Sequence, residues 1–326
     1  MKKILFIIDK IELKYFEFNN LVTNFWIIKE FLERECEVFI TTIPNLSLKQ
    51  DKAYTKCFKT FISNNNIFYK DIKLETEINE FDLVMFRPDP PVDIDYINAT
   101  YIFDFVTKPK VINSPKAIRD FNEKLHSVYF KKFMTDNIVT ASLEEIEIFL
   151  AKYKQIVLKP LNRCFGSGVM YLHEGDPNTR TIINTMTNNE TTLVMVQEFI
   201  PEVKNGDIRV LTLGDKVLKY CIKKLPTKDD FKFNTHNDNF ITSAKLTDEE
   251  MINFTKVAEK LNSLEIYTAG LDVINGKIIE VNVTSPCYFI KEINKLYSIQ
   301  LEKDICNYLL KLCDEHKTLT LCNSST

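Results

Sequence analysis

A short stretch late in the chain carries side chains suited to holding a metal ion. Residues 270–286 read GLDVINGKIIEVNVTSP, in which two β-branched runs flank Asn275-Gly276, the strongest short-range hairpin signal. Glu280 and Asn282 are two residues apart, so their side chains point to the same face of the second strand. Oxygen ligands of this kind suit Mg²⁺, which binds through one or two carboxylates and substrate phosphates.

The register of this hairpin decides whether Asp272 joins the other two side chains. A strict two-residue turn pairs Ile274 with Lys277 and puts Asp272 on the opposite face from Glu280. A three-residue loop with a glycine bulge pairs Ile274 with Ile278 instead. Asp272 then faces Glu280 across the hairpin. The metal hypothesis requires this second register, and the alternative is a solvated hairpin face that carries ordinary charges.

Two lysines and a glycine-containing loop are candidates for contacting phosphate groups. Lys124 precedes an apolar stretch, Lys159 follows a predicted strand, and the loop after it contains Gly166 and Gly168. Lysine acts as a point charge, and loop N–H groups donate to anions. The alternative is that each lysine is simply solvated. The chain has neither G-x-x-x-x-G-K-[ST] nor G-x-G-x-x-G, so the sequence excludes a P-loop and disfavours a dinucleotide site.

A proline-rich segment is a further candidate for the site. It reads Arg87-Pro88-Asp89-Pro90-Pro91 and follows a predicted buried strand at 83–86. Prolines end the strand and stiffen the loop. Because ligands of open α/β sheets bind beyond the carboxyl ends of strands, Arg87 and Asp89 are candidate site residues. The alternative is a rigid surface turn with a local ion pair.

The elements that must position these residues alternate between strands and helices. A strand at 4–8, a helix covering 21–32 and a strand at 36–41 predict a βαβ unit with a parallel crossover. Residues 46–80 are ambiguous, and 225–240 are typical of a lid or a disordered segment. Thr247 and Glu250 form a capping-box pattern. We predict further strands at 83–86, 111–113, 155–158, 169–172, 194–199, 208–213 and 216–222, and helices at 96–105, 115–133, 248–261 and 293–313.

The composition bounds the class of protein. At 326 residues the chain is long enough for two or three domains, and its 45% hydrophobic and 27% charged residues are typical of globular proteins. A net charge of −3 argues against nucleic acid or a membrane surface as the main partner. The eight cysteines show no C-x-x-C pair, so we expect them to be reduced. The first apolar run is too short for a signal peptide or a membrane span, which predicts a cytoplasmic protein.

Together the motifs resemble the bacterial glutathione synthetases of the ATP-grasp superfamily. The resemblance runs from about Ile4 to Leu310 and is strongest in RPDPPVDIDYINATYI (87–102), NSPKAIRDFNEKL (113–125), LKPLN (158–162), NGDIRVL (205–211) and GLDVINGKIIEVNVTSP (270–286). It implies an α/β protein with an N-terminal Rossmann-like (pre-ATP-grasp) domain followed by a two-lobed ATP-grasp domain. The implied boundaries are 1–121, 122–195 and 196–316, with a tail at 317–326.

The resemblance also implies a role for each site residue, with ATP lying between the two lobes. The implied ATP-binding residues are Lys124, Lys159, Gly166, Gly168, Gln197, Glu198, Phe199, Ile200 and Asp207. Two Mg²⁺ ions, with Mn²⁺ as the alternative metal, would bind Asp272, Glu280 and Asn282. The implied catalytic residues are Arg209, Lys224 and Asn282. The implied substrate-binding residues are Arg87, Asp89, Lys232, Asn234, Ser285 and Pro286.

The implied reaction is the ATP-dependent joining of γ-glutamylcysteine and glycine through an acyl phosphate. Such phosphoryl transfer needs positioning and charge neutralisation rather than a protein nucleophile, and the residue types found here fit that need. The implied partners are small molecules, without nucleic acid or membrane. The family resemblance also implies a homo-oligomer, either a tetramer or a dimer.

Departures from the family pattern leave other activities open. The loop at 163–168 carries bulky side chains where the family has glycines, Pro88 replaces a basic residue, and Lys224 stands where the family has arginine. Lysine cannot reproduce the bidentate grip of arginine. One alternative is therefore an ATP-grasp carboxylate-amine ligase for a different peptide or amino acid. Another is an ATP-binding regulator without turnover, which the retained metal and phosphate residues disfavour.

Overall fold

Three β-sheets organise the part of the chain that the computed structural model describes, residues 1–9, 22–70, 72–163, 166–226 and 241–323. Helices pack against these sheets, so the predicted α/β class is confirmed. None of the helices in these ranges is long and apolar enough to cross a membrane.

The first sheet contains the parallel strands that the sequence predicted. Its strand order is β3-β4-β2-β1-β7-β8, with β5 and β6 paired to β4. Strands β1, β2, β7 and β8 run parallel, and helix α1 connects β1 to β2, which confirms the βαβ unit. The bounds are β1 Lys3–Ile7, α1 Thr23–Glu33, β2 Glu37–Thr41, β3 Leu46–Lys49, β4 Lys52–Ser63, β5 Asn66–Tyr69, β6 Leu74–Glu77, β7 Leu83–Phe86, α2 Ile94–Ile102, β8 Lys110–Ile112 and α3 Pro115–Asp120.

The ambiguous region 46–80 contains four of these strands. Strands β3, β5 and β6 each pair antiparallel with β4. Much of their surface is exposed, as the burial pattern of β3 and β6 shows. Strands that bury only part of one face carry many polar residues, so their hydrophobic signal is weak.

The predicted continuous helix over 115–133 is wrong. Helix α3 ends at Asp120, and the chain resumes as a 3₁₀ segment at Leu125–Phe133. Between them the Asn122 side-chain oxygen accepts hydrogen bonds from the backbone N–H groups of Lys124 (3.0 Å) and Leu125 (2.9 Å). Asparagine competes with helical hydrogen bonding in this way, and here the resulting turn places Lys124 outside a helix.

The second sheet is antiparallel and has four strands in the order β11-β10-β12-β9. Two helices pack on it through an apolar cluster that includes Ile146, Ile156 and Val196. This sheet carries Lys159 and Gln197 on neighbouring strands. The bounds are β9 Asn137–Thr140, α4 Leu143–Tyr153, β10 Gln155–Pro160, β11 Met170–His173, α5 Thr179–Met186 and β12 Val194–Glu198.

The third sheet is antiparallel, with the order β16-β15-β13-β17-β18 and β14 paired to β13. Thr247 and Glu250 form the predicted capping box at the start of α6. The bounds are β13 Asp207–Leu213, β14 Lys216–Val217, β15 Cys221–Lys224, β16 Ile241–Ala244, α6 Asp248–Ser263, β17 Thr268–Ile274, β18 Lys277–Asn282, α7 Ile290–Tyr297 and α8 Leu301–Asn323. Further 3₁₀ turns lie at Ile43–Asn45, Ile78–Glu80, Phe103–Phe105 and Pro201–Asn205.

The predicted single closing helix over 293–313 is also wrong. It is divided into α7 and α8 at Ser298, whose φ of +54° is left-handed. The Asn294 side chain fixes the break, because its oxygen accepts from the Leu301 N–H (2.8 Å) and its amide donates to Glu302 (2.7 Å). Apolar spacing continues across the break, so periodicity alone could not reveal it.

The β17–β18 hairpin has a two-residue turn. Asn275 and Gly276 both have positive φ, +48° and +73°, as the tight hairpin turn requires. Ile274 therefore pairs with Lys277, and the predicted three-residue loop is wrong.

A bulge further along the same hairpin restores the predicted facing of the carboxylates. Val273 pairs with Ile278, but Asp272 pairs with Glu280, which leaves Ile279 as the extra residue of β18. The predicted juxtaposition of Asp272 and Glu280 is thus confirmed. The bulge also frees the Ile279 carbonyl oxygen, which accepts a hydrogen bond from Lys159 Nζ at 3.0 Å.

One apolar cluster joins the first and third sheets. It contains Phe6 of β1, Phe31 of α1, Leu211 of β13, Ile293 of α7 and Leu309 of α8, all fully buried. The carboxyl ends of β1 and β7 consequently lie beside the segment that follows β18. This shared core positions the candidate site described next.

Candidate functional site

Asp272 is the centre of a buried network of charges. It is 7% exposed. Arg209, on the neighbouring strand, donates to both carboxylate oxygens, from Nε at 2.9 Å and from Nη2 at 3.0 Å. Lys224 Nζ lies 2.8 Å from Asp272 Oδ1 and 2.5 Å from Asp207 Oδ2. These four residues project from three adjacent strands, β15, β13 and β17, so the sheet itself sets their spacing.

Charge pairing outweighs the effect of burial for Arg209, Lys224 and Asp272, but not for Asp207. Burial alone would raise the pKa of Asp272, but Arg209 and Lys224 hold that pKa well below its usual range. Burial opposes the charge on Lys224, yet the two carboxylates raise its pKa. Burial raises the pKa of Asp207 despite its contact with Lys224. The charged forms of Arg209, Lys224 and Asp272 therefore stabilise one another at neutral pH.

The three predicted metal ligands lie together. Asn282 Nδ2 donates to Asp272 Oδ2 at 3.0 Å, and Glu280 faces Asp272 across the ladder. Within the described residues no group of three or more His, Cys, Asp or Glu side chains could hold a metal ion. The candidate set here is two carboxylates and one amide, an all-oxygen donor set of the kind that Mg²⁺ accepts.

Lys124 and Lys159 reach this hairpin from the rest of the chain. Lys124 Nζ lies 3.0 Å from Glu280 Oε1 and donates to the Arg163 carbonyl at 2.6 Å. Lys159 Nζ contacts the bulged Ile279 carbonyl, as described above. Both lysines are buried, at 4% and 7% exposure, and burial lowers the pKa of Lys159. The sequence therefore identified two lysines that both contact β18, the strand that bears Glu280 and Asn282.

Of the two polar atoms of the Gln197 side-chain amide, only the oxygen has a hydrogen-bond partner. Its Oε1 accepts from Lys159 Nζ at 2.7 Å. Its Nε2 is buried and has no hydrogen-bond partner. A buried donor without a partner costs free energy, on the order of 1–3 kcal/mol, so such an atom calls for a ligand or another explanation.

The other predicted nucleotide residues lie around the same sheet. Glu198 ends β12, and the Phe199 ring packs edge-on against Tyr171, with 4.7 Å between ring centroids. The Ile200 carbonyl accepts from Val203 N. Gly166 and Gly168 both have positive φ, +68° and +73°, which favours glycine at those positions.

Arg87 connects the first sheet to the segment after β18. It is 3% exposed; its Nε donates to Asn24 Oδ1 at 2.7 Å and its Nη2 to the Pro286 carbonyl at 2.9 Å. The alternative of a rigid surface turn with a local ion pair does not fit Arg87, because this side chain is buried. Arg209 Nη1 also donates into this segment, to the Cys287 carbonyl at 3.2 Å. The segment 283–287 thus lies between the Asp272 network and the first sheet.

Asp89 and Ser285 meet at the end of β7. The Ser285 hydroxyl donates to Asp89 Oδ1. The Asp89 backbone N–H donates to both carboxylate oxygens of Asp9, at 2.8 and 2.9 Å. Asp9 follows β1, so the two aspartates come from the carboxyl ends of neighbouring parallel strands. The predicted substrate residues Lys232 and Asn234 lie outside the described residues.

Glu123 holds the segment after β18 in place. Its Oε1 accepts from the Val283 N–H (2.6 Å), the Thr284 N–H (3.0 Å) and the Thr284 hydroxyl (3.1 Å). It is 9% exposed, and burial followed by the charge of Glu280 raises its pKa. Glu123 thereby couples the backbone beside Lys124 to the backbone beside Asn282.

Sequence reasoning did not assign Asp9, Glu123, Asn24 or Tyr96. Two of them carried a usable signal. Asp9 directly follows an apolar run that reads as a buried strand, the position where ligands of α/β sheets bind. Glu123 directly precedes Lys124 in a motif that was already singled out. Asn24 and Tyr96 lie on helical positions without such a signal.

Family models match nearly the whole chain. The model described as prokaryotic glutathione synthetase, N-terminal domain, matches residues 2–119, and the model for the ATP-grasp domain of the same enzyme matches residues 123–298.

Curated relatives of similar length carry the same description. The chain is 33% identical over 291 residues to a glutathione synthetase of Buchnera aphidicola subsp. Schizaphis graminum, covering 88% of this chain and 91% of the relative. It is 32% identical over 283 residues to a glutathione synthetase of Vibrio parahaemolyticus, covering 86% and 89%.

Solved structures with the same fold are more distant in sequence. The D-cycloserine synthetase DcsG aligns with a TM-score of 0.67 at 12% identity, covering 96% of this chain and 100% of the other. D-alanyl-alanine synthetase A from Vibrio cholerae aligns with a TM-score of 0.59 at 10% identity, covering 96% and 99%. At these identities the likeness establishes the ATP-grasp fold alone.

Proposed function

The chain belongs to the prokaryotic glutathione synthetase family, and from this premise we propose that it joins γ-glutamylcysteine and glycine at the expense of ATP. The observation that carries the proposal is the convergence of Lys124 and Lys159 on the strand that bears Glu280 and Asn282. Cations from one side and oxygen ligands from the other are what a triphosphate and its metal ions require.

We propose that the triphosphate lies where the two lysines meet the hairpin. Phosphate oxygens would replace Glu280 as the partner of Lys124. The base would lie against residues 197–200, where the unpartnered Gln197 Nε2 is a ready donor for a ring nitrogen or carbonyl acceptor. Asp207, buried beside Lys224, would lie near the sugar. Gly166 and Gly168 would bring loop N–H groups to the phosphates.

Two Mg²⁺ or Mn²⁺ ions would be held by Asp272, Glu280 and Asn282, and they would supply neutralising charge for the triphosphate. The donor set fits, because two carboxylates and an amide oxygen leave the remaining coordination to phosphates and water. The Oδ1 atom of Asn282 accepts no hydrogen bond from the described residues, whereas Nδ2 points at Asp272. Arg209 and Lys224 hold Asp272 ionised, which is the form that ligates a metal.

The reaction then proceeds in two steps on substrates that the protein positions. The carboxylate of γ-glutamylcysteine attacks the γ-phosphate of ATP, and ADP leaves with the bridging oxygen. The neutral amine of glycine attacks the resulting acyl phosphate carbonyl, and phosphate leaves. Arg209 and Lys224 would balance the negative charge that builds up on the transferred group, and Arg87, Asp89, Ser285 and Pro286 would orient the peptide.

Phosphate release from ATP tests this proposal. We expect release that depends on both γ-glutamylcysteine and glycine, with glutathione formed in equal amount. Slow release with γ-glutamylcysteine alone would report the first step. Turnover that requires a different carboxylate or amine would refute the glutathione assignment while retaining the ligase class.

The proposal also includes a cytoplasmic location and a homo-oligomeric state. The second part, a tetramer or a dimer, is implied by the family resemblance. Size-exclusion chromatography with light scattering tests the second part, and a mass equal to one chain at micromolar concentration would contradict it.

A further inference from the structure

The Asp9 and Asp89 carboxyl groups are held close together by bonds that fix their orientation. The Asp89 N–H donates a bifurcated hydrogen bond to both carboxylate oxygens of Asp9. The Ser285 hydroxyl fixes Asp89 from the other side. Asp9 is exposed, and this bifurcated hydrogen bond holds its carboxylate beside Asp89.

This pair has no cationic partner within the described residues. The ion pairs found there do not include Asp9 or Asp89 with any lysine, arginine or histidine. Neighbouring like charges oppose ionisation, and burial together with the Asp89 charge raises the pKa of Asp9 to about 6. Two oriented carboxylates without a counter-ion are costly to fold, which is the pattern expected of a site that receives a cation.

Tyr96 supplies a second, independent observation. It is 2% exposed, and its hydroxyl has no hydrogen-bond partner. Burial raises its pKa well above the usual range; the charges of Glu123, Asp9 and Asp89 add to this shift and Arg87 opposes it, so the hydroxyl is close enough to these carboxyl groups to feel their charge. A buried hydroxyl without a partner is rare in proteins, so this atom calls for a ligand or another explanation.

We propose that Asp9, Asp89 and the Tyr96 hydroxyl form the binding site for the α-ammonium group of the γ-glutamyl end of the acyl donor. An ammonium carries three N–H donors and no acceptor, and this cluster offers two carboxylates and a phenol oxygen. The proposal rests on the proposed function and adds a substrate contact to it. Asp9 and Tyr96 thereby become specificity-determining residues.

The position of the cluster selects this ammonium over the amine of glycine. The segment 283–287 separates the cluster from the Asp272 network, where the phosphate would be transferred. The amine of glycine must lose its charge and approach the acyl carbonyl. A cluster that stabilises a charged ammonium, away from the Asp272 network, does not suit that amine. The γ-glutamyl α-ammonium is at the far end of the same substrate and keeps its charge throughout the reaction.

The test compares γ-glutamylcysteine with N-glutarylcysteine, which differs only by lacking the ammonium group. We expect the wild-type chain to prefer γ-glutamylcysteine in kcat/KM by about 10- to 100-fold, the range for one charge-assisted interaction. Asp9→Asn should remove most of that preference by raising KM for γ-glutamylcysteine while leaving N-glutarylcysteine unchanged. Tyr96→Phe should reduce the preference a few-fold. KM for ATP and glycine should stay within about twofold in both variants.

A matched control is Asp51→Asn, which changes an exposed aspartate in the β3–β4 turn. It should leave the preference unchanged. The proposal is overturned if Asp9→Asn impairs both peptides equally, if the wild-type chain does not distinguish them, or if the variant instead raises KM for glycine.

A binding measurement separates failure of this proposal from failure of the proposed function. Isothermal titration with each peptide, in the presence of a non-hydrolysable ATP analogue and Mg²⁺, needs no turnover. If the wild-type chain shows no glycine-dependent phosphate release, the activity is wrong. Tighter binding of γ-glutamylcysteine than of N-glutarylcysteine, lost in Asp9→Asn, still supports the ammonium site, and equal binding of the two peptides refutes it.

Discussion

Replacing Asp272 by asparagine should destabilise the protein far more than the matching change at Glu280. Asp272 is 7% exposed and accepts from Arg209 and Lys224 at 2.8–3.0 Å, so the variant leaves two buried cations without their shared counter-charge. Breaking a buried ion pair costs ~3–5 kcal/mol, and because asparagine keeps one acceptor oxygen we expect about 3 kcal/mol. Glu280→Gln disturbs a half-buried carboxylate with one ion pair, to Lys124, and should cost about 1 kcal/mol or less.

Urea unfolding followed by far-UV circular dichroism, without nucleotide or metal, measures both costs. A double-mutant cycle with Lys224→Met then isolates the interaction with Asp272. We expect a coupling free energy of about 1–3 kcal/mol, because methionine removes one of the two cations that pair with Asp272. Phosphate release should fall at least about 100-fold in both single variants, since each removes a carboxylate that we propose as a metal ligand. Free energies of unfolding for Asp272→Asn and Glu280→Gln that agree within about 0.5 kcal/mol would refute the buried-network reasoning.

Three further variants test other parts of the site. Glu123→Ala removes the acceptor of three buried donors and should lower the free energy of unfolding by about 3 kcal/mol, whereas Glu123→Gln keeps Oε1 and should lower it by about 1 kcal/mol; equal losses would contradict this. The pKa of Asp9 is about 6 in the folded protein and 3.8 for an ordinary aspartate. Its protonated form therefore stabilises the fold below about pH 4, and this contribution is lost as the pH rises through 6. Asp9→Asn should therefore raise the free energy of unfolding at pH 7 by up to ~1 kcal/mol, a figure reduced because Asp9 is exposed to solvent. Near pH 3.5 it should leave this free energy unchanged, and an effect that does not depend on pH would contradict the prediction. Gln197→Leu should raise KM for ATP about tenfold and leave KM for glycine unchanged; an unchanged KM for ATP would remove Gln197 from the base site.

The sequence predicted correctly those features that depend on residue type and on the local spacing of residues. Glu280 and Asn282 share a face because strand geometry has a period of two, so their common direction needed no tertiary information. The β1–α1–β2 unit followed from buried apolar runs around a helical period. Lys124 and Lys159 were identified by residue type and by motif resemblance, and the structure brings both to β18.

The sequence failed where side chains override local periodicity. Asn122 and Asn294 both break helices by bonding to the backbone, and an apolar period continues across each break. The hairpin facing was right for the wrong reason, because the extra residue is Ile279 in the strand and not a third residue in the turn. A bulge depends on what the strand contacts, here Lys159, and no local pattern encodes that partner.

By itself, the sequence determined the α/β class, the hairpin that carries Asp272, Glu280 and Asn282, and the two lysines proposed to contact phosphate. Only the tertiary structure decided what surrounds these groups. It put Arg209 and Lys224 on Asp272, Glu123 on the backbone at 283–284, and Asp9 beside Asp89 and Tyr96. The physical reason is that strand period and residue type are local properties, whereas counter-charges, buried donors without partners and like-charge neighbours arise between residues that are tens to hundreds of positions apart.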